Sequence, residues 1–219
     1  MSVSETYKTS GSALLHGLVS PEVAGAMARL SAFFIARAGA GALVQPKSIL
    51  DKPCYEVSSG GLPALSTFLW AMTPKIEEVT GVSLLPTYSY LRAYQQGDIC
   101  RVHSDRAACE HSVSLTVAYA DGIPWALAVA DTPKSHENRQ QKQHGEIDFG
   151  DEAYSEYMMA PGDAVIYHGI DYRHGRLAPN PNRWSVHLFM HWVDRDGPHR
   201  DQLFDGRPIA GPVDFRFPD

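Results

Sequence analysis

Leu84-Leu-Pro-Thr-Tyr-Ser-Tyr-Leu-Arg-Ala-Tyr94, running on through Gln95-Gln-Gly-Asp-Ile-Cys-Arg-Val-His-Ser-Asp105, is where the chain changes its period. The first half is rich in aromatic and strand-forming residues, and Gln95 to Asp98 is a turn. A second strand-like segment then ends in a His-x-Asp pair. Residues i and i+2 of a strand face the same way, so His103 and Asp105 can grip one cation from a rigid base. Two ligands do not complete a site. A third is offered by His174, in Tyr172-Arg-His-Gly-Arg176, and Arg183-Trp-Ser185 begins nine residues further on.

Upstream of this stretch the pattern is helical. Ser20-Pro21-Glu22 supplies a cap, a first-turn proline and an acidic first turn ahead of Val23, Met27, Leu30, Phe33 and Phe34. That helix is expected to end near Ala38-Gly39. A second runs from Leu62 to Val79, with Leu65, Phe68, Leu69, Met72 and Ile76 at spacings of three and four and Gly81 as the stop. The first ten residues read as polar and loose, and Val44 to Ser58 has room for a short strand or two.

Downstream the strand signals continue at Ser112 to Tyr119, Trp125 to Ala130, Ile147 to Phe149, Tyr154 to Met158, Ala164 to Tyr167, Arg173 to Leu177 and Trp184 to Val193. They are interrupted by a polar insertion, Asp131 to Gly145, whose composition reads as a mobile loop. About eight or nine short strands with regular turns suggest a mainly β fold, a double-sheet jelly roll with the amino-terminal helices laid on one sheet. The expected organisation is a single domain over 1–219. Residues 1–83 give helical support, 84–195 form the β core, and 196–219 make an irregular tail.

With 219 residues, 44% hydrophobic and 20% charged, the chain is long enough to bury a sizeable core. A net charge of -6 without a basic stripe argues against nucleic acid or an anionic membrane as partner. The opening residues lack a basic region followed by an apolar one, and no apolar run of about 18 residues is read, so a cytoplasmic location is expected. Three cysteines, Cys54, Cys100 and Cys109, without CxxC spacing read as reduced thiols.

On these residues the chain resembles the Fe(II)- and 2-oxoglutarate-dependent dioxygenases, and within them the prolyl-4-hydroxylase-like branch. The resemblance spans about Tyr88 to Val193. It rests on the His-x-Asp pair, a distal histidine after the Pro161-Gly-Asp163 strand start, and an arginine on the next strand. It implies that His103, Asp105 and His174 are the iron ligands, a facial triad that leaves adjacent positions open. It implies that Arg183 binds the distal carboxylate of 2-oxoglutarate with help from Ser185, and that Tyr94 and Tyr119 line the co-substrate pocket. The implied cofactors are Fe(II), 2-oxoglutarate as co-substrate, and O2, and the implied fold is the double-stranded β-helix (cupin-like). The implied reaction couples oxidative decarboxylation of 2-oxoglutarate to hydroxylation of a C-H bond, giving succinate and carbon dioxide.

The residue types leave alternatives open. Two imidazoles and a carboxylate suit Fe(II) but also Zn, Mn or Ni. His168, His187 and His191 compete with His174 and read as core or rim histidines, and His144-Gly-Glu146 is a second His-x-carboxylate pair set in the polar insertion. Arg106 and Glu110 either reach the substrate or pair with each other. Many members of the branch carry lysine where Arg183 stands, and the interval of 71 between His103 and His174 is long for it. The acceptor is a protein or peptide or a small molecule, with a slight lean towards peptide. A non-oxidising, metal-binding cupin-type module would explain the three ligands equally well but would give Arg183 and Ser185 no task.

Overall fold

The Ser-Pro and Leu-Pro starts and the Gly stops bound two long helices as their chemistry requires. In the computed structural model, which describes residues 1–46, 48–134 and 145–206, these are α2 (Pro21–Ala38) and α3 (Pro63–Thr80), preceded by a short α1 (Val3–Ser10). The sequence reading left the first ten residues loose. They form a helix because Ser2 and Glu5 close a reciprocal capping box and Tyr7 is buried. Residues 21–42 are also long and apolar enough to pass as a membrane span by length and composition alone, which the sequence reading overlooked.

The strands are β1 (Ser12–Leu15), β2 (Leu43–Val44), β3 (Cys54–Ser58), β4 (Leu84–Gln95), β5 (Cys100–His103) and β6 (His111–Tyr119). They continue with β7 (Leu127–Ala130), β8 (Tyr154–Tyr157), β9 (Ala164–Tyr167), β10 (His174–Arg176) and β11 (Trp184–Asp194). Two antiparallel sheets result, a larger one in the order β1-β9-β6-β11-β4-β3-β2 and a smaller one in the order β5-β10-β7-β8. The expected strand at Ile147 to Phe149 is reduced to one bridge between Glu146 and Val102. The expected loop Asp131 to Gly145 lies outside the described residues from 135 to 144. The expected tail is described only to Gly206, as a kinked 3-10 turn over Arg200–Gly206.

Alternation along β4 and β11 divides the interior. Leu91, Leu188, Met190 and Trp192 join Leu65, Leu69 and Ile76 of α3 and Ala24 of α2 in a core between the helices and the larger sheet. The intervening residues Tyr90, Arg92, Tyr94, Phe189 and His191 turn the other way. They line a cavity shared with His103 of β5, Leu127 of β7, and His174 and Arg176 of β10.

Candidate metal centre

His103 ends β5 and His174 begins β10, and the two are register partners across the antiparallel pair. Their rings lie 4.5 Å apart. Asp105 sits in the turn just past β5 rather than on the strand, with its backbone N-H donating to the Gly169 carbonyl at 2.8 Å. Gly169 is required there. A Cβ on it would come within 2.6 Å of Asp105 Oδ2, the Cys109 carbonyl and Ser112 Oγ.

The carboxylate faces both imidazoles, with His103 Nε2 3.6 Å from Oδ1 and His174 Nε2 3.5 Å from Oδ2. One ligand atom from each of the three residues falls within 4.8 Å of the others. Both histidines turn Nδ1 to a main-chain carbonyl, His103 to Arg101 at 2.7 Å and His174 to Tyr172 at 3.0 Å. A carbonyl only accepts, so each Nδ1 carries a proton, and Nε2, which faces the carboxylate, is the ring atom left to meet a cation. Burial alone works against ionised Asp105, yet the charges and hydrogen bonds of His174 and His103 hold its carboxyl well below the usual range. For His174, burial pulls the other way from Asp105, and the carboxylate prevails to raise it. The donor set, its tautomers already fixed, fits a divalent transition-metal ion.

From the three ligands a narrow cavity of about 20 Å³ is lined by Arg92, Tyr94 and Arg176 on one side and His191 on the other. Arg176 is only 1% exposed and lies 4.7 Å over the Trp125 ring. One of its Nη atoms donates to the Trp125 carbonyl, and the other lies 3.2 Å from His187 Nδ1. Burial, and then the charge of Arg176, hold His187 well below the usual histidine range. His187 is therefore neutral and accepts at Nδ1, which places its proton on Nε2, a buried atom with no partner among the described residues. Arg176 itself has no carboxylate partner among the described residues. Arg92 does, since both Nε (3.0 Å) and Nη2 (2.7 Å) donate to Glu56 Oε2.

The other residues singled out from sequence divide. Tyr94 lines the cavity and accepts from Arg92 at its hydroxyl. Tyr119 is buried behind it, accepting the Trp125 N-H and lying edge-on to His187. Ser185 is buried and accepts from Asn180 Nδ2. Arg183 does not reach the cavity. Its side chain is 70% exposed, and Nε donates to Asp121 at 2.9 Å because the residue precedes β11 and faces the turn after β6. Arg106 and Glu110 do not pair with each other: Arg106 binds Asp205 over the Tyr88 ring, and Glu110 accepts the Asp194 N-H. Of the competing histidines, His168 stacks on Tyr7 and lies outside the cavity lining. His191 lines the cavity, with Nδ1 2.9 Å from Ser112 Oγ and Nε2 buried without a partner among the described residues. Burial brings its pKa down to about 4.

Sequence reasoning quoted Arg176 without giving it a task. The i, i+2 rule applied to His103 and Asp105 would have marked it, because it stands two residues from His174.

No protein-family model matches the sequence, and no curated protein matches it either. Solved structures do. The non-haem alpha-ketoglutarate-dependent carbocyclase SnoK from nogalamycin biosynthesis superposes with a TM-score of 0.70 at 12% identity, covering 96% of this chain and 93% of SnoK. The chain has the fold of the iron- and 2-oxoglutarate-dependent oxygenases. A Pseudomonas putida prolyl-4-hydroxylase shares that fold at 0.59 and 16% identity, with 86% of this chain and 96% of the other covered. So does the epimerase SnoN, solved with Fe3+, alpha-ketoglutarate and nogalamycin RO, at 0.65 and 13% identity, with 98% and 92% covered.

Proposed function

We propose that the protein is an iron- and 2-oxoglutarate-dependent oxygenase in which His103, Asp105 and His174 hold Fe(II) and Arg176 holds the far carboxylate of 2-oxoglutarate. The observation that carries this reading is Arg176, a guanidinium buried in the metal cavity with no anion of its own among the described residues. An uncompensated buried charge is costly, and a ligand carboxylate is the partner that relieves it. Arg176 stands two residues from His174 on β10, about 6.5 Å along the strand. That suits a five-carbon diacid whose 2-oxo acid end is at the metal. The strand arrangement supports the double-stranded β-helix, since every connection from β4 to β11 except β7 to β8 crosses between the two sheets.

Bound iron would supply the activation of dioxygen, with 2-oxoglutarate consumed to succinate and carbon dioxide as a C-H bond of the acceptor is hydroxylated. The chain's own residues supply placement. Arg176 offers its N-H donors to one carboxylate, and the Trp125 ring and carbonyl hold the guanidinium in place. Tyr94, Leu127 and Phe189 give the passage apolar walls that keep water from the reacting centre.

Anaerobic titration with Fe(II) and then 2-oxoglutarate, following the visible charge-transfer band of the chelate, tests this. Wild type and Arg183→Ala are expected to develop the band at the same co-substrate concentration. Arg176→Met should need roughly 10- to 100-fold more, the cost of a charge-assisted contact, and His174→Ala should show no band. If Arg176→Met is unchanged, the anchor assignment fails. If Fe(II) binds wild type and no band follows, the protein is a metal-binding module of another kind.

A further inference from the structure

We propose that His191 is a specificity-determining residue that accepts a hydrogen bond from a hydroxyl group of the acceptor, so that the acceptor is a neutral, hydroxyl-bearing ring compound. This rests on the oxygenase reading and adds the substrate class to it.

The argument starts from one proton. Ser112 Oγ lies 3.2 Å from Asp105 Oδ2, 3.3 Å from the Cys109 carbonyl and 2.9 Å from His191 Nδ1. Two of these three neighbours are oxygens that only accept, and we place the single hydroxyl hydrogen on one of them. With the hydrogen so placed, the hydroxyl offers lone pairs to His191 and Nδ1 of the ring donates to it, an arrangement that the imidazole 15N spectrum tests. Nε2 is left as a bare acceptor. It is buried on a cavity-lining residue, and no described residue donates to it. A buried acceptor with no donor calls for a ligand that brings one.

Position distinguishes this ligand from the co-substrate. On β11, His187 lies beside Arg176 while His191 is four residues further along the same face, about 13 Å away. The metal ligands lie between, with Asp105 joined to His191 through Ser112. An acidic co-substrate reaching from the metal to Arg176 leaves the His191 side free for a second molecule.

The surroundings define its chemistry. The His191 ring packs at 4.5 Å against Tyr88, and Tyr90 stacks on Phe189 at 4.8 Å, so the wall is built of ring faces. Tyr88 also borders an open groove of about 300 Å³, where the hydroxyls of Ser58, Ser59 and Ser66 have no hydrogen bond among the described residues and Trp70 offers an exposed ring. Ring faces with neutral hydroxyls suit a polyhydroxylated ring. Arg106, 4.4 Å over Tyr88, is already paired with Asp205, so the charges beside the groove are matched and a neutral O-H donor suits Nε2 better than an ammonium.

The test uses phenol and toluene, matched rings that differ in the hydroxyl. Their binding to the Fe(II)- and 2-oxoglutarate-loaded protein is read from the shift of the charge-transfer band, and their binding to the metal-free protein from ligand-observed NMR. Wild type should prefer phenol by at least about tenfold. The preference should vanish in His191→Leu and persist in His191→Gln, which keeps an acceptor. The imidazole 15N spectrum of wild type, with His191 assigned through the His191→Gln protein, should show its proton on Nδ1. Equal binding of the two rings by wild type, a preference that survives His191→Leu, or a proton on Nε2 each overturns the proposal; the first is the outcome if only water occupies the acceptor. The spectrum and the metal-free arm need no iron. A missing charge-transfer band therefore sinks the oxygenase reading separately.

Discussion

Glu56 illustrates how a single carboxylate can decide what two arginines do. Arg92 and Arg176 both line the cavity, but Glu56 takes two N-H groups of Arg92 and fixes it among Tyr90, Tyr94 and Phe189, whose ring centroids lie 5.1, 5.5 and 5.8 Å from the guanidinium carbon. Arg176 has no carboxylate partner among the described residues. Replacing Glu56 by Leu should leave Arg92 buried and unpaired. A loss towards the lower end of about 3–5 kcal/mol is expected in urea unfolding, since Glu56 is itself partly exposed, and Arg92→Leu in the same chain should restore part of it. Equal stability of Glu56→Leu and wild type would show that the pair contributes nothing. At this scale the convergence of His103, Asp105 and His174 was legible because their types and order are distinctive. Arg183 and Arg176 were not told apart, because linear spacing does not reveal that Asp121 waits beside the first or that Trp125 covers the second.

Among the elements, the turn between β9 and β10 closes the site from outside the strands. Gly169 lets Asp105, Cys109 and Ser112 close around one point with no side chain between them. Gly169→Ala is expected to push the Asp105 carboxylate out of place and weaken Fe(II) or Mn(II) binding by roughly 10- to 100-fold, measured calorimetrically, while the far-UV spectrum stays native. Unchanged affinity would mean that the turn gives way without moving the ligand. The long helices and most strands were readable because capping, proline placement and periodicity agree locally. Helix α1 was missed although Ser2-Val-Ser-Glu5 is a capping box. Eight residues are too few to hold a helix alone, and what holds this one is remote: Tyr7 donates or accepts at 2.7 Å with His111 and stacks at 4.7 Å on His168.

For the whole molecule, the buried histidines set the response to acid. Burial, and then the neighbouring His111, lower His168 to about 4, against about 6.5 for an unfolded chain. Because the folded value is the lower one, the unfolded chain takes up the proton first, and stability present above pH 6.5 is lost as the pH falls from there towards 4. Wild type should lose melting temperature over that window, and His168→Gln should flatten the slope by one group's share; an identical slope would remove His168 from the account. The two-sheet plan was foreseeable from the count of short strands, whereas the order of strands was not, because pairing joins residues far apart in sequence. That pairing has a mechanical outcome. β5 and β10 have only four and three residues, and His103 and His174 face each other across them. An ion held by both would be a rivet through a thin seam of the smaller sheet. Amide exchange along that seam should slow on metal loading far more than in the helices, so that cofactor occupancy is written into which part of the protein opens first.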